Sequence, residues 1–233
     1  MDNKNEIKVR SLLPDIMLFI FGSLLMLFII YYLIPMLRFT GIMDLGLWMM
    51  LTIPLLFLPI LIGIMLILKT EKTNLKLSER FRFRRMIKSD WLYCLAGFVF
   101  MAAGSTILFI ICNFFEIDTN SPFTKNVEVW TDGHYWMFAL WAIYWPINIM
   151  VESIAWHGVI LSRMEAKIGR YAWILNGLMW GVFHIGLGAG GLIVLIPTLI
   201  VVPLIAQKTK NTWTAVILHA CLSGPSYFAF GLM

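Results

Sequence analysis

Charge is scarce in this chain. Only 13% of its 233 residues are Asp, Glu, Lys or Arg, against about a quarter in a soluble globular protein. So little charge excludes a soluble globular domain, and a chain that is 60% hydrophobic has far too much apolar surface to be intrinsically disordered. Cysteine is scarce as well. Cys94, Cys112 and Cys221 are odd in number and lie in apolar runs, which excludes a disulfide scaffold and reads all three as buried small hydrophobes. No His-Glu-x-x-His helix is present to impose a zinc site. The two halves show no repeat, which argues against an inverted-repeat transporter.

Long apolar runs dominate. Seven of them, at about 16–37, 45–68, 91–115, 135–160, 171–188, 191–206 and 212–233, each approach the length of a membrane-crossing helix. The reading is an all-α integral membrane protein, a polytopic bundle of about seven transmembrane helices. Residues 1–134 form an N-terminal three-helix part with a basic loop at 69–90, and residues 135–233 form a four-helix core. The first run is too long for a signal-peptide core and reads as an uncleaved first span. The sixth run is short and contains Pro197 and Pro203, so it is expected to bend or to be partly re-entrant.

The loops orient the bundle. With seven spans, 16 of the 18 basic residues fall on one side: the N-terminal tail, the loop at 69–90 and the short loops at 161–170 and 207–211. Arg38 and Lys125 are left on the other. The positive-inside rule then places a multi-pass protein in the plasma membrane with a cytoplasmic N-terminus and an outside C-terminus. This asymmetry accounts for the net charge of +5 without a nucleic-acid partner. Phe81 and Phe83, set between arginines, would let the 69–90 loop lie on anionic lipid, although an ordinary topology loop is the simpler reading. Asp15, at the start of the first span, is expected near the headgroups with no special role.

Polar groups deep in a bilayer are costly and point to function. Here they gather in the last four runs: Glu152, Ser153 and His157, then His184, then His219 and Ser223. At 1.5 Å per residue, Glu152 lies ~15 Å deep, His184 ~21 Å, His219 ~12 Å and Ser223 ~18 Å. Three helices therefore carry ionisable groups to the middle of a core about 30 Å thick. Ser153 and His157, Trp180 and His184, and His219 and Ser223 are each four apart and share a helix face. Glu152 and His157 are five apart and do not share a face of a regular α-helix. Gly177 and Gly181 form a GxxxG contact, and the glycines at 186, 188, 190 and 191 make a flexible turn after His184.

A carboxylate and two histidines suit amide hydrolysis in two ways. Glu152 and His184 could position and deprotonate a water while His219 and a polar neighbour stabilise the oxyanion. Alternatively, Glu152, His184 and His219 could hold a divalent metal such as zinc that activates the water.

These residues resemble the CAAX prenyl endopeptidase and bacteriocin-processing family of intramembrane proteases, also called Abi or CPBP. Its pattern is a Glu-Glu-x-x-x-Arg-Gly helix, a Phe-x-x-x-His helix and a final His-x-x-x-Asn/Asp helix. Here the counterparts are Glu152–Gly158, Trp180–His184 and His219–Ser223, and the resemblance covers about residues 135–225. It implies that Glu152 and His184 activate water and that His219 and Ser223 form the oxyanion site. Ser153, His157 and Trp180 would be supporting residues. Three positions depart from the pattern: Ser153 stands for the second glutamate, His157 for the arginine and Ser223 for the Asn/Asp. The expected activity is an intramembrane endopeptidase acting on membrane-associated peptides or proteins such as leader peptides, secreted precursors or lipidated tails. The alternative is a catalytically degenerate protein of the same fold, acting as an immunity factor or as a scaffold for a membrane protein partner.

Overall fold

The computed structural model describes residues 9–71, 75–124, 130 and 133–230, with side chains through Ser223. Every regular element among the described residues is helical. Helix α1 is Leu13–Thr40, α2 Asp44–Lys69 and α3 Lys88–Phe114. Helix α4 covers 136–168, α5 is Ala172–Phe183 with a 3₁₀ turn at His184–Leu187, α6 is Gly188–Thr209 and α7 is Thr212–Phe230. By length and composition, four uninterrupted stretches among the described residues can cross a membrane: α1, α2, α3 and the 74 residues Trp136–Thr209. The last stretch holds α4, α5 and α6, because the chain turns back at Gly169 and Gly188, both with positive φ. Apolar side chains also cover the outside, as with Leu92, Leu95, Phe100, Ile107 and Ile110 on α3. That surface suits lipid and no aqueous medium.

Contacts give the helix directions. Ser105 Oγ donates to the Val194 carbonyl at 2.9 Å, and Gly97 faces Ile205 and Val201, so α3 and α6 are antiparallel. Ser23 Oγ donates to the Val182 carbonyl at 3.1 Å and Met26 packs on Gly186, so α1 and α5 are parallel. Helices α5 and α6 form a close hairpin in which the Leu199 carbonyl lies against Gly177, where any side chain would collide. Helix α6 is longer than the short sixth run suggests, which corrects the expectation of a partly re-entrant segment. It is a continuous helix of 22 residues despite Pro197 and Pro203. Both prolines are buried, and Pro197 packs against Gly104 of α3, so packing holds the helix through two missing N–H donors.

The alternation gathers the termini of the helices at two poles. At one, charges interlock. Arg163 grips Asp15 through Nε at 2.6 Å and Nη2 at 3.1 Å and also pairs with Glu71, which in turn pairs with Arg80. Arg82 and Lys210 share Glu165, and Arg84 meets Asp90 at 2.9 Å. Asp15 is fully buried in this network, which overturns its reading as an incidental headgroup residue. The 69–90 loop is docked as well: the Phe81 carbonyl accepts the Thr212 hydroxyl at 2.6 Å, and Phe83 packs on Trp213 with ring centroids 4.8 Å apart. Cys94 and Cys112 are buried as expected. Cys221 is exposed, because its side of α7 faces outward. At the other pole lie the α1–α2 turn, the described residues of the α3–α4 linker and the α5–α6 corner. Between the poles the core is aromatic, with Phe19 stacked on Trp156 at 4.2 Å and Phe183 tilted against Trp156 at 5.1 Å.

Candidate functional site

Glu152 is the last residue of regular α-helix in the first part of α4, and a π-helical stretch, Ser153–Ile160, follows it. A π turn closes i→i+5 hydrogen bonds and so brings residues five apart onto one side. Glu152 and His157 therefore both reach Trp180, which a regular helix would forbid. Trp180 Nε1 donates to Glu152 Oε2 at 3.0 Å, and the His157 ring stands edge-on to the indole at 4.5 Å between centroids.

Trp180 also organises the two remaining histidines. Its carbonyl lies 2.9 Å from Nδ1 of His184, one turn on. A carbonyl only accepts, so Nδ1 carries the proton and Nε2 of the neutral ring presents a lone pair. That Nε2 points at Glu152 Oε2 across 3.8 Å. The distance is too long for a direct hydrogen bond. Two acceptors so placed call for a shared donor, and a water molecule supplies two O–H groups. The His219 ring is edge-on to Trp180 at 5.4 Å, and its Nδ1 is buried without a hydrogen-bond partner.

The supporting residues diverge in role. His157 Nδ1 sits 3.1 Å from Asn176 Oδ1, and Asn176 Nδ2 donates to the Trp156 carbonyl at 2.9 Å, so His157 is tied into the packing below the site. Ser153 is fully buried and its hydroxyl is unpartnered. Ser223 Oγ donates to the His219 carbonyl at 2.9 Å, one turn back. The structure thus brings Glu152, His157, His184 and His219 round one indole; Glu152, His184, His219 and Ser223 line the cavity, whereas Ser153 and His157 do not.

These groups form the floor of a cavity of about 320 Å³, near the small end of ligand sites. Its lining includes Asn148, which sequence reasoning did not single out. Asn148 lies one turn before Glu152 on the same face of α4, is 5% exposed, and has an Oδ1 without a partner. An orphaned buried acceptor costs about 1–3 kcal/mol unless a ligand or water satisfies it. Its spacing of four from Glu152 was the available signal.

The donor set does not fit a divalent metal held by Glu152, His184 and His219 together. No three His, Cys, Asp or Glu side chains are grouped as a metal site requires among the described residues. No step below is routed through a metal.

The geometry defines a membrane-embedded helical bundle with a buried carboxylate–imidazole pair at the base of a cavity. Residues 134–224 match the family model described as type II CAAX prenyl endopeptidase, Rce1-like. The matched segment contains every candidate residue, and over it the chain is similar to that family. No curated protein matches the chain, and no solved structure does.

Proposed function

We propose that the chain is an intramembrane endopeptidase that hydrolyses peptide bonds with a water held between Glu152 and His184. The observation that carries this reading is the 3.8 Å gap between Glu152 Oε2 and His184 Nε2, two acceptors of cavity-lining residues close enough to share one water. Water there donates one O–H to each. As it attacks a carbonyl carbon, one of the pair takes its proton and returns it to the leaving amine. Trp180 fixes both partners, holding the carboxylate by its N–H and the imidazole tautomer by its carbonyl. His219, which lines the cavity, would stabilise the developing oxyanion as a ring N–H donor. Asn148, lining the cavity one turn before Glu152, would bond a substrate backbone group through its side-chain amide and so position the chain.

The test is to reconstitute the full chain in proteoliposomes with a defined pool of synthetic apolar leader peptides and prenylated tail peptides, and to read the products by mass spectrometry. Site-specific cleavage supports the reading; a pool left intact by protein that melts cooperatively counts against it.

A second reading is a non-catalytic bundle that serves as an immunity factor or scaffold. The fully buried, unpartnered Ser153 hydroxyl, standing where the family has a carboxylate, favours it. Complementation of a deletion strain separates the two, since a scaffold tolerates Glu152→Gln and a peptidase does not.

A further inference from the structure

The cavity is closed toward the basic pole and open toward the other pole and along its α3–α6–α7 side, where Ser105, Val194 and Leu222 are partly exposed. Toward the basic pole, the space beyond Glu152 is filled by Trp156 on Phe19, by His157 with Asn176, and by Met164, all buried. Beyond them lies the ion-pair layer of Arg163, Asp15, Glu71, Arg80, Arg82 and Glu165. The cavity lining takes no residue from that layer.

The other end is built differently. Thr119, Ser121 and Thr124 of the α3–α4 linker form the rim with Leu187 and Gly191 of the α5–α6 corner, and all five are partly exposed. The linker is anchored there. Phe123 is buried and stacked on Trp48 at 4.5 Å, and the Asp118 carbonyl lies against Gly190. The rim thus carries three hydroxyls, able to meet a peptide backbone, while Met26, Leu195 and Leu222 give the wall an apolar face.

We infer that substrate enters from the pole opposite the basic one, which the distribution of Lys and Arg makes the non-cytoplasmic face. The substrate class is therefore an exported apolar peptide segment, a leader or precursor whose susceptible bond has reached the outer side. A cytoplasmic prenylated tail would have to pass the ion-pair layer. The substrate class rests on the proposed peptidase reading; the side of entry does not.

The full-length chain, with its three cysteines replaced by alanine, carries either Ser121→Cys or Lys88→Cys. Each variant is treated with a membrane-impermeant maleimide in sealed right-side-out vesicles and in inside-out vesicles. Entry from the outer side requires Ser121→Cys to react in right-side-out vesicles and Lys88→Cys in inside-out vesicles. Reaction of Ser121→Cys only in inside-out vesicles overturns the inference. Thr119→Cys repeats the measurement independently should Ser121→Cys fail to accumulate. In a second arm, wild-type vesicles receive an impermeant leader peptide from outside: cleavage before lysis supports the substrate class, and cleavage only after lysis overturns it. If no peptide is cleaved under any condition, the peptidase reading fails while the labelling still decides the side of entry.

Discussion

Trp180 donates its indole N–H to the buried carboxylate of Glu152 at 3.0 Å, linking α5 to the residue of α4 that directly precedes its π-helical stretch. The same tryptophan sets the tautomer of His184 through its carbonyl. One residue thus positions both members of the pair that would hold water.

Trp180→Phe keeps the ring and removes the donor. A hydrogen bond to a charged group is worth about 1.5–3 kcal/mol. The variant should lose about 10- to 100-fold in kcat, and because Trp180 is fully buried its melting temperature should fall as well. Parallel kinetics and thermal melts in detergent check this.

Asn148→Ala should act on binding. Losing one hydrogen bond to the substrate backbone costs about 1 kcal/mol, so KM should rise about fivefold with kcat little changed. A fall confined to kcat would move Asn148 from positioning to the chemical step. Steady-state kinetics over a range of peptide concentrations separates these.

Asp15→Ala leaves Arg163 buried without its bidentate partner. Breaking a buried pair from one side costs about 3–5 kcal/mol; Glu71, still paired with Arg163, holds the expected loss to the lower end. Thermal unfolding of the purified protein should shift down by several degrees, while any surviving folded fraction keeps the wild-type cleavage specificity.

Chelation should leave the activity in place. The Glu152, His184 and His219 donors are not grouped for a three-ligand ion. Cleavage rates before and after dialysis against a strong chelator should agree within about twofold, well inside the tenfold step that corresponds to about 1.4 kcal/mol. Abolition reversed by zinc would restore the metal mechanism.

Much of this arrangement is legible in the sequence, and the reasons for the rest are specific. The long apolar runs mark the helices, because a backbone in lipid has to satisfy its own hydrogen bonds. The gathering of Glu152, His184 and His219 follows from depth arithmetic once helix directions alternate. The π turn does not follow, because nothing in Ser-Ile-Ala-Trp-His announces an extra residue per turn. Without it, Glu152 and His157 read as facing apart. Asp15 reads as incidental because its partner, Arg163, is 148 positions away. The two prolines of α6 suggest a break that packing against α3 and α5 prevents. Asn148 is hidden because one amide in an apolar helix resembles ordinary interhelical glue, and only the cavity shows its unpartnered oxygen. The exposure of Cys221 likewise depends on how α7 is rotated, which its apolar neighbours do not reveal.

The most direct measurement is the cleavage rate of one identified peptide by wild-type protein and by Glu152→Gln, reconstituted identically and matched in melting behaviour. The glutamine keeps the size and the acceptor toward Trp180 but cannot take a proton. General-base catalysis contributes about 10²–10⁴-fold. A fall of at least about 100-fold is therefore the expected result, and equal rates would contradict a water activated by Glu152 and His184.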